Sequence, residues 1–344
     1  MGRLVVVRAE AGSTFVDALR GAWDNGDAVL PLDPRLPARA ASTLTEALRA
    51  DHPVDEGDAV VVPTSGTTGE PKGVVLTHDA LRASAMVTSA RLEADPEQDT
   101  WLSCLPLAHI GGLSVVVRSL LTGTPLTFEP AAPASLVSLV PTQLLRMDVS
   151  RFRAVLLGGA APPDDPPPNC IVTYGMTETG SGVVYDGRPL EGVDVRCVDG
   201  ELHVRGPMLF RCYRDGNDPK DAHGWFATGD AGSVDEDGTV RVVGRMGDVI
   251  VTGGEKVWPD AVERVVRTMR GVADVAVAGR PDTEWGERVV AWIVPSGRPP
   301  TLDDVRLAVK EELPAYAAPK ELVLVETLPR TALGKVKRAE LHLP

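Results

Sequence analysis

Over roughly its first 160 residues the sequence switches repeatedly between two hydrophobic periods. A chain that does this can bury both only by layering helices against a sheet. Short β-rich runs occur at LVVV (4–7), AVLPL (28–32), AVVVP (59–63), WLSCLP (101–106), PLTF (125–128) and AVLLGG (154–159). Between them lie the helical patterns STFVDALRGAW (13–23), TEALRA (45–50), THDALRASAMVTSARLEA (77–94) and GGLSVVVRSLL (111–121). The alternation predicts an α/β layered domain with a mainly parallel sheet.

The texture changes twice after that. From about 185 to 245 short strands are separated by turn signals around Gly200 and Gly238, which predicts a small antiparallel β subdomain. After GRMGD at 244–248 a compact α+β pattern follows. Its helix PDAVERVVRTM opens on Pro259, its strands are ADVAVAG and ERVVAWIV, and TLDDVRLAVKEEL begins with a Thr-x-x-Asp capping box. At 344 residues the chain is long enough for about two domains. The expected division is a large α/β domain over 1–246 and a small α+β domain over 247–344.

Composition serves mainly to exclude. The 48 acidic and 35 basic residues leave a formal charge of −13, a poor match for nucleic acid or anionic lipid. Cys104, Cys170, Cys197 and Cys212 have neither metal-binding nor disulfide-framework spacing. With no apolar run of spanning length and no leader-like N-terminus, the expectation is a cytoplasmic protein without a membrane span.

The chemistry concentrates in a few segments. In PTSGTTGEPKGVVLTH at 63–78, Thr64, Ser65, Thr67 and Thr68 lie among Gly66, Gly69 and Gly73, directly after an apolar strand, with Lys72 nearby. Glycines let the backbone approach phosphate oxygens, hydroxyls donate to them and lysine adds charge. The spacing is not that of the G-x-x-x-x-G-K-[ST] loop, and a surface loop rich in Ser, Thr and Gly is the plainer alternative. Further on come LLGGAAPP (156–163), TYGMTETG (173–180), GWFATGD (224–230), GRMGDVIVTGGEKVWP (244–259) and PRTALGKVKR (329–338). Taken singly, Asp230 in its turn reads as a backbone cap and Lys335 as part of a solvated basic tail.

In this order the segments resemble the acyl- and aryl-CoA synthetases, adenylation domains and luciferases, from about residue 60 to the end of the chain. The resemblance implies a large adenylating domain with a small mobile C-terminal lid, and an ATP-dependent ligase that forms an acyl-adenylate. Its co-substrates would be ATP with Mg2+ and then coenzyme A. Thr64 to Gly69 and Lys72 would hold phosphates, Tyr174 would flank the adenine, and Gly159 and Gly175 would belong to the same nucleotide site. Thr177 would touch phosphate and Glu178 would bind Mg2+, a hard cation suited to carboxylate and phosphate oxygen. Asp230 would accept from the ribose hydroxyls and Arg245 donate beside it. Lys335 would stabilise the charge that develops during adenylation. Gly253 and Gly254 would line the tunnel for the thiol after the lid turns at Gly247, where relatives often carry Asp or Lys.

The stretch LPLAHIGGLSVVVRSLLTG at 105–123 resembles most closely the o-succinylbenzoate–CoA ligases of menaquinone biosynthesis, through His109 and a basic residue nine positions later, Arg118. A dicarboxylate substrate needs a cation for the carboxylate that does not react, and Arg118 has the right chemistry. His109 would border the acyl pocket. The chain departs from relatives in a front shortened by about a hundred residues, which a homodimer could cover, in Ala108 at a position often aromatic, and in Glu70 within the phosphate loop. Three readings therefore stand: this dicarboxylate ligase, a ligase or carrier-protein loader for another acid, and a non-catalytic nucleotide- or acyl-CoA-binding module.

Overall fold

Only five residues separate the apolar run ending at Ser65 from the one beginning at Pro71, and a parallel crossover takes roughly a dozen. The two strands, Asp58–Ser65 and Pro71–Thr77, accordingly form an antiparallel hairpin, with Thr64 opposite Lys72 and Ser65 opposite Pro71. This computed structural model describes residues 1–65, 71–144, 146–330 and 336–342, and the side chains of all of these but Ser65 and His342.

The hairpin belongs to a five-stranded sheet ordered Leu4–Arg8, Ala28–Leu32, Asp58–Ser65, Pro71–Thr77, Cys212–Tyr213. The first three strands run parallel and the last two junctions are antiparallel. A second sheet of seven strands takes up the later runs, in the order Arg188–Pro189, Ser181–Tyr185, Cys170–Met176, Ala154–Leu157, Leu136–Leu139, Trp101–Leu102, Leu126–Thr127. Its last five strands are parallel and its first two add antiparallel at the edge. The single mainly parallel sheet expected from the alternation is thus two sheets, of which the second has the parallel centre. Strands are also shorter than the apolar runs. Of WLSCLP only Trp101–Leu102 is laddered, and Pro106, lacking an amide hydrogen, lies in the segment that leads away to the next helix.

Helices cover these sheets where their sequence signals place them. Thr77 caps His78–Arg91 by accepting from the Ala80 amide at 3.1 Å. Ile110–Thr122 ends on Gly123 at φ 78°. Its residues from Gly112 to Arg118 are all buried, so this helix lies inside the protein on every side over two turns. Its Leu113, Val116 and Val117 share a core with Phe15, Leu19, Val60, Val74, Leu76 and Ala108.

Between 194 and 245 the strands Asp194–Val198, Glu201–Arg205, Phe226–Val234 and Val240–Arg245 form a four-stranded sheet in that order. The chain divides into two compact units. One is Met1–Val195 with His203–Phe226 and Asp235–Val240; the other is Arg196–Leu202, Ala227–Val234 and Arg241–Pro344. In the second, Val262, Val265 and Val266 of helix Pro259–Arg267 pack on Val275, Val277 and Val289 of the long hairpin Val272–Asp282 and Gly286–Pro295. Helix Leu302–Glu312 has the capping box read from its sequence: the Thr301 amide donates to Asp304 Oδ2 at 2.9 Å and the Asp304 amide donates to Thr301 Oγ1 at 3.2 Å. Among the described residues no helix is long and apolar enough to cross a membrane.

Candidate active site

In open α/β sheets, ligands collect outside the carboxyl ends of the parallel strands. Two motif segments leave the seven-stranded sheet of the first unit at that edge. Ala154–Leu157 runs out into Gly158 and Gly159, the latter at φ 82°, a conformation costly for any residue with a Cβ. Cys170–Met176 carries Tyr174 and Gly175 and runs into the 3-10 turn Thr177–Thr179. A Cβ on Gly175 would lie 2.2 Å from the Ser181 carbonyl oxygen, so only glycine lets the two strands approach. The turn is held from inside: the Met176 amide donates to Thr179 Oγ1 at 2.9 Å, and that hydroxyl donates to the Ser181 carbonyl at 2.6 Å. Thr179 is fully buried, while Thr177 and Glu178 are half-buried beside it.

The Glu178 carboxylate is fixed by a residue that the motifs do not contain. The Tyr213 hydroxyl donates to Glu178 Oε1 at 3.0 Å, and Lys72 Nζ sits over the same tyrosine ring, 4.9 Å from its centroid. Thr64 Oγ1 donates to the Lys72 carbonyl at 3.3 Å. Lys72 of the hairpin and Glu178 of the turn therefore both contact Tyr213, one at its ring face and the other at its hydroxyl. Gly66, Thr67, Thr68 and Gly69, with Glu70, lie outside the described residues, as do the Ser65 side chain and Lys335.

Among the described residues no group of three or more His, Cys, Asp or Glu side chains could hold a metal unaided. A single half-buried carboxylate beside a cationic phosphate hairpin still fits Mg2+, which is held through one or two carboxylates plus substrate phosphates rather than by an all-protein cage.

On helix Ile110–Thr122, Arg118 is only 2% exposed. Its Nη2 donates to Ser114 Oγ at 3.2 Å and to Ser181 Oγ, and its guanidinium lies 5.2 Å from the centre of the Trp101 ring. Nε and Nη1 are buried with no hydrogen-bond partner among the described residues. Burial pushes its pKa down from the usual arginine value, opposed by Tyr185. His109 is the N-cap of the same helix, about 13 Å from Arg118 along the axis at 1.5 Å per residue. The Arg118 side chain reaches back along that axis to Ser114, four residues nearer His109. His109 is half-buried, its Nε2 lacks a partner among the described residues, and burial holds its pKa below the ordinary histidine value against the pull of Asp33.

In the second unit, Asp230 and Arg245 come together. Arg245 Nε lies 3.0 Å from Asp230 Oδ1, and Arg245 Nη1 donates to the Thr228 carbonyl at 2.9 Å. Thr228 Oγ1 in turn donates to the Leu202 carbonyl at 2.7 Å, fixing the strand beneath. Gly253 and Gly254 form the two-residue turn between Ile250–Thr252 and Glu255–Val257, at φ 60° and 85°. A tight hairpin of this kind needs positive φ at both positions, so the hairpin alone accounts for both glycines. A Cβ on Gly253 would also come within 2.9 Å of the Trp285 ring.

The described residues nearest Lys335 in sequence make several contacts. Arg330 pairs with Asp274, and the Lys337 amide donates to the Pro329 carbonyl at 2.9 Å. Arg338 donates to Asp248 at 3.1 Å, to Asp260 and Glu263 at 2.7 Å, and through Nε to the Val277 carbonyl at 3.0 Å. Neither Tyr213 nor Arg338 was singled out from the sequence. Tyr213 lies in a two-residue strand 35 positions from Glu178; that strand pairs with Pro71–Thr77, and the Phe210 amide donates to the Glu178 carbonyl at 2.8 Å.

A hydroxyl- and glycine-rich hairpin, a positioned acidic turn at the carboxyl edge of a parallel sheet and an Asp–Arg pair in a second unit define a nucleotide-binding enzyme, and the chain belongs to the AMP-binding enzyme family. The model of the AMP-binding enzyme family matches residues 44–214, and that of the AMP-binding enzyme C-terminal domain matches 261–335. A probable 2-succinylbenzoate–CoA ligase of Mycobacterium tuberculosis is 38% identical over 380 aligned positions, covering 99% of this chain and 97% of the relative. Among solved structures, o-succinylbenzoate CoA synthetase (MenE) from Bacillus subtilis in complex with the acyl-adenylate intermediate OSB-AMP superposes with a TM-score of 0.89 at 25% identity, covering 100% of this chain and 88% of that one. The Bacillus subtilis enzyme in complex with ATP and magnesium ion gives a TM-score of 0.86 at 26% identity, covering 99% and 89%.

Proposed function

We propose that this chain is an AMP-forming o-succinylbenzoate–CoA ligase. The observation that carries this reading is Arg118, a buried guanidinium with two N–H-bearing nitrogens unpartnered among the described residues. An uncompensated buried charge is costly, and a second substrate carboxylate would supply both the charge and the acceptors. Ser181, which shares Arg118 Nη2, is three residues beyond Glu178, so the acid's distal carboxylate and the metal-bound phosphates fall on one strand–turn–strand unit. The names of the relatives support the same acid.

In the first half-reaction the substrate carboxylate attacks the α-phosphorus of ATP, forming the acyl-adenylate and expelling diphosphate. Thr64 to Gly69 and Lys72 hold the phosphates and Thr177 contacts them. Mg2+ on Glu178 supplies charge neutralisation across phosphate oxygens. Gly159, Tyr174 and Gly175 flank the base, and Asp230 with Arg245 holds the ribose. The Lys335 ammonium stabilises the negative charge that builds up in the transition state. In the second half-reaction the thiol of coenzyme A attacks the acyl carbon, AMP leaves, and the thioester forms. His109 stands at the acyl pocket, and its depressed pKa keeps it neutral there near pH 7. We assign residues 1–246 to the nucleotide- and acyl-binding domain and 247–344 to a lid that turns about Gly247, bringing Gly253 and Gly254 to the thiol. A Cβ at Gly247 would meet nothing within 4 Å, so packing does not require glycine there. The same reading assigns the protein to the cytoplasm, where it could form a homodimer.

A substrate panel tests the reading. Diphosphate release should depend on o-succinylbenzoate and be weak with benzoate or fatty acids; release with those acids and none with o-succinylbenzoate would overturn it.

A further inference from the structure

We propose that Tyr213 is a positioning residue of the adenylation site, holding the metal-binding carboxylate of Glu178 and the ammonium of Lys72 apart on opposite functions of one side chain. The inference rests on Glu178 as the Mg2+ ligand.

The hydroxyl donates to Glu178 Oε1 at 3.0 Å, while the ring face carries Lys72 Nζ at 4.9 Å. Tyr213 is 9% exposed and packs against Phe210, with ring centres 5.0 Å apart. Its strand is clamped to the phosphate hairpin from both sides. The Arg211 amide donates to the Val75 carbonyl at 2.9 Å and the Arg214 amide to the Gly73 carbonyl at 2.7 Å. The Arg214 guanidinium donates to the carbonyls of Leu48, Arg49, His52 and Pro53, and Lys220 Nζ to those of Phe210 and Arg211. This much fixation of a two-residue strand has a functional consequence. A neutral phenol satisfies one lone pair of the carboxylate without neutralising it, leaving its charge for a cation. The ring also offers Lys72 a weak attractive face, so that the ammonium need not collapse onto Glu178 and compete with the metal.

The test uses the whole protein with α,β-methylene ATP and Mn2+ as the paramagnetic probe, with metal binding read by electron paramagnetic resonance. Tyr213→Phe keeps the ring and its packing and removes only the hydroxyl. It should weaken Mn2+ binding in the nucleotide complex about tenfold, at an unchanged melting temperature. Tyr213→Leu should weaken the metal similarly and also raise the KM for ATP several-fold, because Lys72 loses its platform. Glu178→Gln is the companion variant. If it weakens Mn2+ strongly while Tyr213→Phe stays within twofold of the parent, Tyr213 only packs and the inference falls alone. If Glu178→Gln leaves metal binding unchanged, the assignment of Glu178 and the inference fall together.

Discussion

Replacing Arg118 by Met separates stability from function in a way few core substitutions would. Truncating a buried large residue usually costs about 2–5 kcal/mol. Here the side chain removed is a buried cation whose Nε and Nη1 have no partner among the described residues, a state whose effective penalty is several kcal/mol. Lost with it are the Nη2 bonds to Ser114 and Ser181, at about 1.5–3 kcal/mol each before rehydration, and a contact with Trp101 of about 0.5–2 kcal/mol. Because these terms nearly cancel, the variant should melt within a few degrees of the parent, on the cooler or the warmer side. Its use of o-succinylbenzoate should suffer far more. Leaving the substrate's distal carboxylate without its partner costs about 2–5 kcal/mol, or roughly 30- to 4,000-fold in kcat/KM. Benzoate, which has no second carboxylate, should lose much less. Thermal melting and diphosphate release on purified parent and variant measure both effects. A stability loss above about 3 kcal/mol with an unchanged KM for the acid would make Arg118 a structural residue and refute the reasoning.

Three further outcomes follow from other parts of the chain. Lys335→Ala should cut adenylation by orders of magnitude while thioester formation from preformed adenylate falls much less; equal loss in both half-reactions would contradict its role. Arg338→Met strands the acids at Asp248, Asp260 and Glu263 and should lower stability at pH 7 by about 3 kcal/mol. Burial already holds the Glu263 pKa above the ordinary value, so its folded form binds a proton more readily than its unfolded form. The penalty in Arg338→Met should therefore be full above the raised folded pKa and shrink as pH falls through it, which melts at stepped acid pH would show. Gly175→Ala puts a Cβ 2.2 Å from the Ser181 carbonyl and should lower stability by about 1–3 kcal/mol in denaturant unfolding, with weaker nucleotide binding as Tyr174 and Glu178 shift.

The features legible in the sequence were local ones. The hydroxyl- and glycine-rich segment was placed directly after the strand that ends at Ser65, but its return strand Pro71–Thr77 was not read. Thr301 and Asp304 announced a capping box that both hydrogen bonds realise. Gly253 and Gly254 were read for a ligand, yet a two-residue turn with both φ positive is reason enough for them. The features missed are long-range. The same alternation of runs is compatible with one sheet or two, because strand order depends on contacts between segments far apart in the chain. Tyr213 and Ser181 gave no signal for the same reason, each acquiring its meaning from a partner on another element. Arg118 could be picked out by its position nine residues after His109, but not its burial. Nor did that spacing reveal that about 13 Å of helix sets the two apart.

The proposed o-succinylbenzoate–CoA ligase activity is read most directly in one product. Purified protein incubated with o-succinylbenzoate, ATP, Mg2+ and coenzyme A should yield o-succinylbenzoyl-CoA by mass spectrometry, with AMP and diphosphate formed in equal amounts. The acyl-adenylate should accumulate when coenzyme A is left out. Formation of ADP, or of no thioester while AMP is released with another acid, would contradict it.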